Sequence, residues 1–230
     1  MKDFVKFETI LGVTFKNPEL LKIALTHRSY LNEHPQWQKE HNERLEFLGD
    51  AVLELVVTDY LYKQFPEKPE GELTSLRAAL VNAQMLGSLA SDLGFNDFVL
   101  LSRGEARDVG RARLAILANT FESVVGAIYL DQGYDAARAF LDRVLFPKLR
   151  DILEKKLYRD AKSIFQEEAQ ERVGVTPTYS VVKEWGPDHD KHFVVGVYLG
   201  NDLVAEGEGP SKQVAQQQAA EAALKAKEWE

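Results

Sequence analysis

The sequence has no cysteine among its 230 residues. That excludes a disulfide framework, a thiolate nucleophile and a cysteine-ligated zinc, so any metal must be held by oxygen or by histidine. Long apolar runs are missing too: no eighteen consecutive residues are apolar and uncharged, and the start, MKDFVKFETI, has no apolar core behind its basic residue. The expectation is a cytoplasmic protein with no membrane partner. Cations are also in short supply, with 28 Lys and Arg against 36 Asp and Glu, for a net charge of −8. Nonspecific nucleic-acid binding depends on Lys and Arg neutralising phosphates, so bulk charge opposes it and any such role must come from local patterning. Divided after Arg159, the chain carries 21 basic and 23 acidic residues before the cut and 7 and 13 after it. The smaller part is the more acidic.

What is present suffices for a sizeable core: 45% of the residues are hydrophobic, and the length suits one large domain or two small ones. Two periodicities divide the chain near residue 159. From Phe4 to about Lys156 the pattern is helical. Asn17-Pro18 starts one helix, GELTSLRAALVNAQMLGSLASDLGF reads as another ended by Gly94, and ARLAILANTFESVVGAIYLDQG as a third closed by Gly133. Pro147 should bend or interrupt the helix in YDAARAFLDRVLFPKLRDILEKK. The stretch FVLLSRGEARDVGRA reads as a polar loop outside the core. After residue 159 come a short helix, three segments of period two (TYSVVKEW, HFVVGVYL, DLVAEGEG) and an Ala- and Gln-rich helix from Ser211. The order is α-β-β-β-α, with turns at Gly186-Pro187-Asp188, Gly200-Asn201-Asp202 and Gly209-Pro210.

The chemistry concentrates in ERLEFLGDAVLEL. At about 100° per residue, Glu43, Glu46, Asp50 and Glu54 fall within a stripe about 80° wide on one helix. Leu45, Leu48, Val52, Leu55 and Val56 form the expected core stripe, and Phe47, Leu53 and Val57 flank the acids. Acids walled in by apolar groups raise one another's pKa unless a cation lies among them. A plain solvated face, or pairing of Glu43 and Glu46 with an arginine, is the commoner meaning of such a run. Against it stand the apolar flanks and a second polar pair, Asn119 and Glu122, inside the otherwise apolar LAILANTFESVVGAIYL. Packing the two helices together would converge Glu46, Asp50, Asn119 and Glu122. An oxygen-only set suits Mg²⁺ or Mn²⁺, and such ions serve phosphodiester chemistry. His27 and His41 read as helix-end or core hydrogen-bonding residues rather than bases.

ALTHRSY at 24–30, ERLEFLGDAVLEL at 43–55, GELTSLRAALVN at 71–82 and ANTFESVVGAIYLDQGY at 118–134 together resemble the ordered blocks of the bacterial ribonuclease III nuclease domain. The resemblance implies an all-α nuclease domain over residues 1–158. It implies a homodimer with two active sites in one RNA valley, each cutting one strand to leave a 5′-phosphate, a 3′-hydroxyl and a short 3′ overhang. Ribosomal RNA precursors and other structured transcripts would be the substrates. By motif position Glu46, Asp50 and Glu122 would be catalytic metal ligands for Mg²⁺, with Mn²⁺ able to substitute, and Glu43 a supporting acid. Glu54 has no place in that pattern and reads as a surface or dimer-facing acid. Asn119 stands where the family has aspartate; its carbonyl can still ligate a hard cation, less firmly than a carboxylate.

Residues 159–230 resemble the double-stranded-RNA-binding domain, an α+β module. Gln166, Glu167 and Gln170 on its first helix offer short polar groups to 2′-hydroxyls in one minor groove, and His189 in the GPDHDKHF loop to the next. Ser211 as N-cap with Lys212 in the first turn sets backbone donors and an ammonium against phosphates. Gln213 follows where the family commonly continues with lysine, which together with the domain's acidity predicts weak binding by this domain alone. Two other functions remain compatible with the sequence: a duplex-RNA-binding protein whose cleavage Asn119 attenuates, and an all-α interaction domain whose acids only form salt bridges.

Overall fold

In the computed structural model the described residues are all but Met1, Val109, Lys156, Leu157, Arg159, Asp188–Asp190 and Glu230. The chain forms two compact units, Met1–Tyr158 and Arg159–Glu230. The first is helical: α1 (Phe4–Leu11), α2 (Pro18–Ala24), α3 (Arg28–Glu33), α4 (Glu43–Gln64), α5 (Glu70–Val81), α6 (Ala83–Asp92), α7 (Arg111–Gln132), α8 (Tyr134–Val144) and α9 (Lys148–Glu154). The second has α10 (Ala161–Val173), β1 (Thr178–Trp185), β2 (His192–Leu199), β3 (Asp202–Gly209) and α11 (Lys212–Lys227). Its sheet is antiparallel in the order β1-β2-β3.

Local chemistry sets the helix ends. The Asn17 side chain accepts the Glu19 N–H at 3.2 Å with Pro18 in the first turn. Gly133, at φ 86°, ends α7. Pro147 separates α8 from α9, as its missing N–H requires. The run from Gly71 to Phe95 is two helices rather than one. Asn82 is extended (φ −69°, ψ 155°), and its side-chain oxygen accepts the Met85 N–H at 2.9 Å, so it caps α6 and breaks the run. Periodicity hides such a break because both helices keep the apolar spacing.

The two long helices α4 and α7 cross at the centre of the first unit. The crossing is set by glycine: a Cβ on Gly49 would lie 1.8 Å from the Glu122 carbonyl oxygen, and one on Gly126 would lie 2.3 Å from that of Leu45. Of the expected core stripe on α4, Leu45, Val52 and Val56 are buried and Leu48 half-buried. Leu55 is 58% exposed, whereas Leu53 and Val57 are fully buried, so the face pressed on α7 runs through Gly49 and the acids lie along its margin. Phe98, Val99 and Leu100 belong to the core, contrary to the expectation of a polar loop, and Leu100 is bridged to Thr26. The chain becomes solvent-facing only beyond that bridge. Although α7 is long and apolar enough to cross a membrane by composition, more than half of that window is buried inside the domain.

Candidate active site and RNA-binding surfaces

The glycine crossing brings Glu46 and Asp50 of α4 beside Glu122 of α7. Burial, then the charges of Asp50 and Glu46, push the Glu122 carboxyl up to about 7. Burial, then Glu43 and Asp50, raise that of Glu46. Among the described residues no ion pair neutralises Glu46, Asp50 or Glu122. Asn119, one turn before Glu122, is exposed, and its side chain makes no hydrogen bond to a described residue. Three of the four predicted ligands, Glu46, Asp50 and Glu122, feel one another's charge, and Asn119 is a neutral, exposed amide one turn from Glu122. Among the described residues no three His, Asp or Glu side chains are already gathered as a metal-binding group. Acids that feel one another's charge without closing into a shell suit a hydrated divalent ion, because Mg²⁺ keeps several of its waters.

The other acids of the stripe have partners. Glu43 accepts Arg28 at 3.2 Å and lies 3.8 Å from His41 Nδ1, at the margin of the site. Arg44 turns instead to Glu40 at 3.3 Å. Glu54 is held by Arg77 Nε at 2.9 Å, so it is an intradomain salt-bridge acid. His27 caps α3, with Nδ1 near the Ser29 hydroxyl at 2.8 Å, and burial lowers its pKa. His41 Nδ1 accepts the Glu43 N–H at 3.4 Å. Both are helix-end residues, in keeping with the sequence reading.

In the second unit Gln166, Glu167 and Gln170 are exposed on α10, and Gln170 accepts the Thr176 hydroxyl at 3.2 Å. Ser211 caps α11 by accepting the Val214 N–H at 3.2 Å. Lys212 and Gln213 are exposed in its first turn, and Lys212 Nζ lies 5.7 Å from the Phe193 ring centre. His189 lies outside the described residues.

Two features escaped the sequence reading. Gly49 and Gly126 set the crossing, and the only signal was a glycine inside each long helix, where it lowers helix propensity. The exposed arginines Arg103, Arg107 and Arg111, between α6 and the start of α7, have no ion pair with a described residue. Arg111 falls on the same face of α7 as Asn119 and Glu122, about three turns towards its N-terminus.

Residues 17–149 match the family model for ribonuclease-III-like domains, and residues 161–227 that for the double-stranded RNA binding motif. The chain belongs to the ribonuclease III family. It is 46% identical to Ribonuclease 3 of Enterococcus faecalis over 214 residues, covering 93% of each chain. To Ribonuclease 3 of Carboxydothermus hydrogenoformans it is 44% identical over 223 residues, covering 97% of this chain and 95% of the relative. A solved nuclease domain of ribonuclease III from Campylobacter jejuni superposes with a TM-score of 0.57 at 40% identity, covering 63% of this chain and 97% of that one. That structure was described for flexibility in a region involved in dimer formation. With both modules of the family in order, the chain is an endoribonuclease acting on double-stranded RNA.

Proposed function

We propose that cleavage occurs at the α4–α7 crossing, where Glu46, Asp50 and Glu122 hold Mg²⁺, or Mn²⁺ in its place, with the Asn119 carbonyl as a fourth, weaker ligand. The observation that carries this is three carboxylates with no ion pair to a described residue, one raised to about 7, at a glycine-set contact. When bound, the ion supplies a Lewis acid that activates water and stabilises the leaving oxygen of the phosphodiester. The protein's own part is positioning: the crossing fixes Glu122 opposite Asp50, and Glu43, held by Arg28, adds negative charge at the rim. The products are a 5′-phosphate and a 3′-hydroxyl with a short 3′ overhang. Substrates are ribosomal RNA precursors and other structured transcripts in the cytoplasm.

Residues 1–158 act as the nuclease domain and 159–230 as the duplex grip. In the grip, Gln166, Glu167, Gln170 and His189 meet 2′-hydroxyls, and Ser211, Lys212 and Gln213 meet phosphates. On the nuclease domain the exposed Arg103, Arg107 and Arg111 supply phosphate contacts, which reconciles a net charge of −8 with RNA binding. The working form is a homodimer. Phe47 is 83% exposed beside a groove of about 630 Å³ lined by Leu20, Ile23, Leu48 and Leu130, and a second copy would remove that apolar surface from water. The neutral Asn119 favours one further reading, a duplex binder with attenuated cleavage.

The test is incubation with a perfect RNA duplex, with and without Mg²⁺, beside a DNA duplex. Short 5′-phosphorylated RNA products only with metal are expected. Binding without any cleavage at saturating Mg²⁺ or Mn²⁺ would move the assignment to the attenuated binder.

A further inference from the structure

The loop that carries Arg103 and Arg107 is tied to α3 by side chains far away in sequence. Leu100 donates its N–H to the Leu25 carbonyl at 2.7 Å and accepts that of His27 at 3.0 Å, which brings the chain out of the core. The Ser102 N–H is then donated to the Ser29 hydroxyl oxygen at 3.1 Å. The Arg103 N–H is donated to the Glu33 carboxylate, 3.2 and 3.1 Å from its two oxygens. Ser29 is itself fixed by the His27 ring, and the Ser102 hydroxyl accepts the Glu105 N–H at 3.3 Å to start the turn Glu105–Arg107. Glu105 of the loop and Glu43 at the start of α4 both act on the charge of His27, so the tether stands between the loop and the acidic helix.

These bonds engage backbone groups and leave the guanidinium groups exposed. Acid is close by, with Glu105 in the turn and Asp108 accepting the Gly110 N–H at 2.8 Å. A loose loop could fold its arginines onto those acids, whereas a loop held at Ser102 and Arg103 keeps them available. We infer that Ser29 and Glu33 are positioning residues for duplex binding, which hold the arginine loop beside the acidic helix as a preformed phosphate clamp. The inference rests on the loop's role as a phosphate contact.

Glu33 makes the idea sharp. As a bare charge near RNA it should weaken binding, so its removal should tighten the complex. As a tether, its removal should loosen it. The experiment measures KM and kcat for cleavage of a short RNA duplex by the full chain across a range of salt concentrations. Ser29→Ala and Glu33→Ala are expected each to raise KM about threefold to tenfold while kcat stays within about twofold. Ser29→Ala, which removes no charge, should also flatten the salt dependence of KM, and Ser29→Thr should restore both. Equal melting temperatures exclude a folding defect. A triple variant, Arg103→Ala with Arg107→Ala and Arg111→Ala, separates the two ideas. If it raises KM and flattens the salt dependence while Ser29→Ala and Glu33→Ala change neither, the tether is overturned and the clamp stands. A tighter complex with Glu33→Ala likewise overturns the tether. If the triple variant leaves KM and its salt dependence unchanged, the clamp falls and the tether with it, although metal-dependent cleavage stands on its own.

Discussion

The carbonyl oxygen of Glu122 occupies the space that a side chain on Gly49 would need, 1.8 Å from where its Cβ would lie. The obstacle is backbone, which cannot swing aside, so the two helices would have to part. Gly49 directly precedes Asp50, and a separation there moves Asp50 from Glu122. Gly49→Ala is therefore expected to destabilise the nuclease domain by about 3 kcal/mol or more through overpacking, and to abolish cleavage. Thermal melting and duplex cleavage check this. A stable, active Gly49→Ala would show that the crossing has more slack than the geometry allows.

On the proposed assignment, Asn119 is the weakest of the four metal ligands. Its amide is a neutral dipole beside three acids, so restoring a carboxylate adds charge to the ligand set. Asn119→Asp is expected to lower the Mg²⁺ concentration for half-maximal cleavage several-fold, about fivefold or more if the added ligand is worth about 1 kcal/mol. Titration of Mg²⁺ against initial rate measures it, and equal midpoints for the two proteins would remove Asn119 from the site.

The same acids should strain the metal-free protein as pH rises. A folded pKa of about 7 lies above the ordinary 4.5, so the folded state favours the protonated form of Glu122. That contribution is fully present below about pH 4.5 and disappears as pH climbs through 7 and the carboxylate forms beside Asp50 and Glu46. Glu122→Gln removes the ionising group. In the presence of a chelator it should raise the melting temperature by about 2–4 °C at pH 8 and by little at pH 4.5. The comparison of two pH values separates charge repulsion from any general packing effect of the amide.

Much of this site is legible in the chain because its parts obey short-range rules. Helical spacing aligns Glu43, Glu46 and Asp50, and an Asn-x-x-Glu inside an apolar run announces a polar pair needing company. The α-β-β-β-α order of the second unit follows from period-two runs and Gly turns, and Ser211 takes the predicted cap. What the wheel cannot supply is which face meets which neighbour. Spacing places Leu55 inward with Leu45, Val52 and Val56, but the buried face of α4 extends instead to Leu53 and Val57, on the side of Gly49 that meets α7. The break at Asn82 and the bonds from Ser29 and Glu33 to residues some seventy positions away are tertiary, and no local pattern encodes them.

The proposed dimer surface can be tested at Phe47. Its ring is 83% exposed on the helix that carries Glu46 and Asp50, beside the groove lined by Leu20, Ile23, Leu48 and Leu130, so together they form an apolar patch open to water. Burying it in a second copy is worth roughly 1.5–3 kcal/mol per side. In a two-fold arrangement each ring is buried once, so one substitution acts twice. Phe47→Glu removes the ring and adds an acid beside Glu43 and Glu46, so the two copies also repel. The variant should sediment as a monomer at concentrations where the parent chain is dimeric. Its nuclease domain should keep its helical content, because the side chain contributes little to the intradomain core. A parent chain that is monomeric at micromolar concentration, or a Phe47→Glu variant that remains dimeric, would place the subunit contact elsewhere.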